Sequence, residues 1–375
     1  MAARLTPKYP HGSSTPDIDA EPCTRTPHSL LELIREQTVL DQNLERRDAN
    51  VILQELATKP APSFWDASAL GLLKQALIGR ANGHGWVRHE DGHFSNGGDQ
   101  NAVCYYDCYR RMASLEPLVA DILRRGVEGD FLEAGVYRGG ISIYLAALLR
   151  AAGELGRTNA NRNGKARRLW LADSFQGLPS REYTSAFAQA GASEIAVPPI
   201  GRYMPGKLTG TLQEVQRNAA RYLARHVNIS DESSFDQHVH GLHYLVGYFN
   251  DTLPTAPVER LALLRADSDL FASTFETLEY LYPKLSVGGW VVFDDWKIAQ
   301  ARGAILQYRR LHNITTRVLV TLRDEELRKK NDRYPPGQDP LGYFNYSTGV
   351  WNRTALSVFG ARDRIAFWRK DAVTG

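Results

Sequence analysis

From Phe131 onward, short apolar runs alternate with longer stretches in which apolar residues recur every three or four positions. The runs Phe131–Ala134, Leu169–Asp173, Leu242 to about Val246, Leu261–Leu264, Trp290–Phe293, Arg317–Leu322 and Arg364–Arg369 read as strands. Between them, Ile141, Tyr144, Leu145, Leu148 and Leu149 mark one helix, and Leu208 to about Arg225 marks another. Phe271, Phe275, Leu278 and Tyr282 mark a third, closed by Pro283 and Gly288-Gly289, and Ile305, Tyr308 and Leu311 a fourth. Strand and helix in alternation predict an α/β fold with a Rossmann-like sheet and helices on both faces. Upstream the pattern is helical only: Ser29–Leu56, Ser63–Leu77 and Tyr105–Arg125. The expected organisation is a mobile tail over 1–27 and a helical cap or lid region over 28–128. The main domain then spans 129–375, with insertions near 181–207, 228–241 and 322–360. No internal repeat is visible.

The turn after the first strand is Gly135-Val136-Tyr137-Arg138-Gly139-Gly140, with Glu133 two residues before its first glycine. Ligands of open α/β sheets bind outside the carboxyl ends of the strands, where glycines admit them to the backbone. The spacing is not the dinucleotide G-x-G-x-x-G; an acid so placed is common in loops that hold S-adenosylmethionine. A turn that only packs a helix on a strand is equally compatible with these residues. Asp173 ends the second strand, where it can accept both ribose hydroxyls of an adenosyl ligand or cap the next segment. Asp267 and Asp269 follow the fourth strand, and Asp294-Asp295 the fifth, so these acids emerge at one edge of a parallel sheet. Carboxylates converging there repel one another unless a cation is present, and all-oxygen ligation suits Mg²⁺. The competing reading is that these acids cap the following helices, as Asp269 before Phe271 to Tyr282 could, but four acids at two strand tips make it the poorer explanation. His84, His89 and His93 fit no zinc template and read as a solvated or lid loop, and Cys104/Cys108 as a packing pair.

Charge narrows the partners. Lys+Arg 45 against Asp+Glu 42 leaves +3, too balanced for a nucleic-acid or membrane surface, so a small-molecule partner is expected. Cys23, Cys104 and Cys108 are too few for a disulfide framework, and neither a membrane span nor the apolar core of a signal peptide is present. These features point to the cytoplasm, where the N-x-[ST] triplets carry no glycan.

Five ordered segments carry a resemblance. Glu133–Gly140, Ala172–Pro179, Gly247–Pro254, Leu264–Phe271 and Gly288–Asp295 together resemble the macrocin O-methyltransferase family, as does the final Phe367–Lys370. The resemblance implies a class I S-adenosylmethionine (SAM) methyltransferase sheet, mostly parallel with an antiparallel last strand. It also implies SAM and Mg²⁺ as cofactors, and methylation of a sugar hydroxyl on a natural product of antibiotic biosynthesis. By that resemblance Asp267, Asp294 and Asp295 are metal ligands and Asp269 is the general base. Glu133, Gly135, Val136, Tyr137, Arg138, Gly139, Asp173, Ser174, Phe175, Tyr248 and Asp267 form the cofactor cradle. A homodimer is expected. Departures from the family pattern fall on the N-terminal extension and on the 81–101, 228–241 and 322–360 segments. The alternatives are a metal-dependent enzyme acting on a phenolic or catechol acceptor, and a non-catalytic adenosyl-binding module. An NAD-dependent dehydrogenase explains neither the Asp-Asp tip nor the missing glycine fingerprint.

Overall fold

The computed structural model describes residues 52–79, 103–156, 166–179, 205–223, 241–320 and 365–372 with short interruptions, plus two short antiparallel strand pairs, 87–88 with 94–95 and 344–345 with 350–351. The expected tail, the histidine loop and most of the 181–207, 228–241 and 322–360 insertions lie outside the described residues.

In chain order the elements begin with α1 (Ala67–Leu77), whose N-terminus is capped by the Asp66 carboxylate accepting from Ser68 and Ala69 N–H at 2.9 and 3.1 Å. The hairpin β1 (Val87–Arg88) and β2 (Phe94–Ser95) follows, then α2 (Cys108–Arg125), β3 (Asp130–Ala134) and α3 (Gly140–Ala151). Next come β4 (Leu169–Asp173), α4 (Leu212–Leu223), β5 (Leu242–Val246), α5 (Phe249–Thr252), β6 (Leu261–Ala266) and α6 (Phe271–Leu281). The chain then forms β7 (Leu285–Phe293), α7 (Ala299–Leu311), β8 (Leu319–Val320), the hairpin β9 (Phe344–Asn345) and β10 (Val350–Trp351), and β11 (Ala366–Arg369).

The seven-stranded sheet runs β5-β4-β3-β6-β7-β11-β8. The β5 to β7 block is parallel, and β11 is antiparallel to both β7 and β8. This is the expected mixed sheet, with the order reversing beside β3, where a ligand crevice opens.

Side-chain alternation sends each strand to two cores. Phe131, Leu171, Leu263, Trp290, Val292 and Phe367 pack with residues of α1 to α4, whereas Leu132, Trp170, Leu264, Val291 and Phe293 pack with α6 and α7. Helix α2 therefore lies on the face that also carries Glu133 and Arg265.

Three local expectations need correction. The Gly288-Gly289 pair lies inside β7 rather than closing the preceding helix. Gly288 at φ 83° interrupts regular pairing there, and the β6–β7 register shifts between Leu261 and Leu263. Helix α4 starts at Leu212 rather than Leu208, because Leu208 is left-handed at φ 58° and the Thr211 hydroxyl accepts the Glu214 N–H at 3.2 Å. Cys104 and Cys108 are not merely packed but joined as a disulfide, with Cα atoms 6.0 Å apart. Cys104 lies in a bend ahead of α2, and the Cα spacing suits the bond.

Candidate active site

The β3–α3 turn is built by close backbone approach. Gly135 has φ 87°, and a Cβ there would lie 1.9 Å from the Asp267 carbonyl oxygen. Asp267 N–H donates to Ala134 O at 2.8 Å and Gly135 N–H to Ala172 O at 2.9 Å, which aligns the tips of β3, β4 and β6. Tyr137 at φ 52° and Gly139 at φ 90° turn the chain into α3.

Asp173 serves this turn from β4. One of its oxygens accepts the N–H groups of Val136 and Tyr137 at 2.7 and 3.2 Å, and the other accepts Phe175 N–H at 2.8 Å. Burial raises its pKa, although these three backbone bonds favour the charged form. Ser174 donates to Gly177 O at 2.7 Å, Phe175 is buried in a left-handed conformation, and Tyr248 caps α5 at the neighbouring tip of β5. The Arg138 side chain turns away to Glu214 of α4 at 2.5 Å.

The acids of β6 and β7 do converge, but on guanidinium groups. Glu133 pairs with Arg265 across the β3–β6 ladder, and Arg265 with Val292 across β6–β7, so side chains two residues further along share that face. Arg265 is 1% exposed and bonds Glu133 and Asp294 at short range and Asp267 at 3.0 Å. Arg111 of α2 reaches in to the same Asp267 and Asp294 oxygens at 2.8 and 3.3 Å. Asp295 accepts the Asp269 N–H at 3.0 Å, and Asp269 holds φ 55°.

Burial dominates these acids and their neighbours decide among them. Burial would raise Asp267, but Arg111 and Arg265 hold it below the usual range. Asp294 goes up through burial despite the same two cations. Asp295 goes well above the carboxylate range through burial and the nearby Asp269 and Asp267 charges. Glu133, which the sequence assigns to the cofactor cradle, is buried beneath the turn, bonded by Ser142 and Arg265 and pushed up to about 7 by burial.

Sequence reasoning missed Arg111 and Arg265. An arginine inside the apolar run Leu261–Ala266, two residues before an acid, was the available signal for Arg265. Nothing in the local pattern of α2 sets Arg111 apart from the adjacent Arg110.

A strand order reversing beside a glycine turn, with acids at the tips of β6 and β7, describes a fold shared by many enzymes; comparison with known proteins narrows it. The family model for macrocin O-methyltransferases matches residues 86–321. The chain belongs to the macrocin O-methyltransferase family. It is thus an O-methyltransferase built on the class I SAM-dependent fold. A relative from Streptomyces olivaceus, 8-demethyl-8-(2,3-dimethoxy-alpha-L-rhamnosyl)-tetracenomycin-C 4'-O-methyltransferase, is 38% identical over 55% of this chain and 67% of its own length. Demethyldecarbamoylnovobiocin O-methyltransferase from Streptomyces niveus is 35% identical over 57% and 71% respectively. Mycinamicin III 3''-O-methyltransferase from Micromonospora griseorubida is 35% identical over 56% and 72%. Among solved structures, the O-methyltransferase NovP aligns at TM-score 0.51 and 24% identity, covering 82% of this chain and all of that one. Among the described residues of this macrocin O-methyltransferase family member, no helix is long and apolar enough to cross a membrane. Nor do any three His, Cys, Asp or Glu side chains among them form a ready metal cage.

Proposed function

We propose that this protein methylates a hydroxyl, on a sugar of a glycosylated natural product, using SAM and a divalent cation such as Mg²⁺. The named relatives act on a rhamnosyl tetracenomycin, a demethyldecarbamoylnovobiocin and mycinamicin III, and the rhamnosyl group of the first supports a glycosidic acceptor. The observation that carries the cation is the charge imbalance at the β6 and β7 tips. Three carboxyls, those of Glu133, Asp267 and Asp294, bond the guanidinium groups of Arg111 and Arg265, and two more, Asp295 and Asp269, lie beside them, joined by the Asp269 N–H. The surplus is all oxygen donors, which suits a hard divalent ion.

In this reading Asp267, Asp294 and Asp295 would hold the ion. SAM supplies an electrophilic methyl group and the cation lowers the cost of removing the acceptor proton. The chain's own residues do the rest. The glycine turn and Asp173 fix the cofactor loop, with Ser174, Phe175 and Tyr248 framing the adjacent strand tips. Asp269, held at the tip of β6 by its left-handed backbone and its bond to Asp295, takes the hydroxyl proton. Arg265 anchors the acids so that donor and acceptor meet in line. The cytoplasm and a homodimer complete the proposal, although the Cys104–Cys108 disulfide removes the cysteine count as support for that compartment.

Incubation with methyl-labelled SAM and a panel of glycosides and catechols, with and without EDTA, tests it. Label transfer to a glycoside that stops with EDTA is the expected result. Transfer to catechols alone reassigns the acceptor, undiminished transfer in EDTA removes the metal, and SAM binding with no transfer to either panel argues for a binding module.

A further inference from the structure

The arginines at the acidic tip are not equivalent. Arg265 sits on β6 between Glu133 and Asp294 and is 1% exposed, a fixture of the sheet. Arg111 comes from a different element, α2, with its side chain 13% exposed, and its Nη1 touches Asp267 and Asp294 through the same Oδ2 atoms that Arg265 uses. Two of the three carboxylates assigned to the cation are thus already occupied by a cation of the chain itself.

We propose that Arg111 is an internal counterion that competes with the divalent ion for Asp267 and Asp294, withdrawing when the ion loads and thereby setting its affinity. This rests on the metal reading above. The backbone of α2 is poorly placed to move. At its far end Asp121 accepts from Trp290 Nε1 of β7 at 3.0 Å, and Arg125 donates to Gly288 O at 2.5 Å. At its near end Cys108 is joined to Cys104, which packs so tightly on α3 that a Cβ at Gly140 would come within 2.6 Å of it. The exchange is therefore a side-chain rotation of Arg111 on a fixed helix, within the rotamer freedom of a long arginine. Electrostatics gives its direction. A guanidinium within bonding distance of a metal ligand opposes a divalent charge there, so removing it raises metal affinity, even though it also removes a tie between α2 and the sheet. A purely structural arginine gives the opposite sign, because its loss loosens the ligands.

Mn²⁺ binding, followed by the electron paramagnetic resonance of the free ion and by calorimetry, reads this without turnover. Wild type, Arg111→Met, Arg111→Lys and Asp295→Asn are compared, with melting temperatures as the fold check. Arg111→Met is expected to bind Mn²⁺ roughly tenfold or more tightly than wild type. Arg111→Lys, which keeps the charge, should stay near wild type, and Asp295→Asn should bind more weakly. If Met at this position fails to fold, Arg111→Gln takes its place. Equal or weaker Mn²⁺ binding in the neutral variants, with Asp295→Asn still weakened, overturns the competition but leaves the metal site standing. Absence of Mn²⁺ binding in both wild type and the neutral variants removes the metal reading and this proposal with it.

Discussion

Asp269 adopts φ 55°, a conformation that costs most side chains about 1 kcal/mol and that aspartate tolerates better than most. That placement separates it from the acids bound to Arg111 and Arg265, and the separation can be tested. Neutralising Asp267 or Asp295 should weaken metal binding and activity together, with partial recovery in excess Mg²⁺ or Mn²⁺. Asp269→Asn should lower turnover by about 10²- to 10⁴-fold with metal affinity near normal and no metal rescue. Near-normal turnover in that variant takes Asp269 out of the mechanism. Arg265 makes a second test. Arg265→Met strands Glu133 and Asp294 in the interior, so a loss of about 3–5 kcal/mol in denaturant unfolding is expected. Adding Glu133→Gln should recover part of it; a loss below about 1 kcal/mol would mean that the acids simply protonate. At this scale the sequence disclosed the carboxylates but not their partners. Acids at strand ends stand out against apolar runs, whereas Arg111 acts across 156 residues of chain, a relation that no local window holds.

Among elements, the lead-in to α4 presses directly on the β3–α3 turn proposed to hold the cofactor. A Cβ at Gly210 would lie 2.0 Å from Tyr137 O, and Asn218 of α4 donates to Arg138 O at 2.9 Å, so this helix seats the turn from outside. Gly210→Ala must push the turn away and is expected to weaken SAM binding about tenfold or more by calorimetry. Gly126→Ala is the control. Gly126 has a positive φ, 63°, which Gly210 does not, but open space around its Cβ, so only about 1 kcal/mol of strain and unchanged SAM affinity are expected. Matching SAM losses in both variants would show that the contact with Tyr137 is irrelevant. Periodicity revealed α4 but not its task, because the close approach of Gly210 is a tertiary fact. The start of β7 was misread for a related reason: a glycine pair looks like a turn when its strand partners are unknown.

For the molecule as a whole, alternating strands and helices were enough to give the sheet, since each buried strand must show its apolar residues wherever it pairs, whereas the antiparallel end came only with the family resemblance. The 322–360 segment is one of those where the chain departs from the family pattern, and we propose that it helps to choose the acceptor, as functional loops commonly do. Deleting it should reduce acceptor turnover while SAM affinity holds; equal loss of both in a folded variant would contradict that assignment. A different boundary is written into α1. Lys74 is 2% exposed, bonds Glu116 of α2 at 2.6 Å, and lies over the Tyr109 and Tyr144 rings at 5.2 and 5.7 Å, while Trp65 Nε1 donates to Leu148 O at 3.2 Å. A protein started at the first strand, near Gly129, would lose α2 and open the α3 core. One started at residue 100 would keep Glu116 and bury it without its cation. Only a start ahead of Pro62 keeps the lysine, its acid and the tryptophan clasp, so soluble expression is expected from there and aggregation from either shorter version. That outcome would make the helices before the sheet part of the smallest piece of this enzyme that folds, rather than a module detachable between relatives.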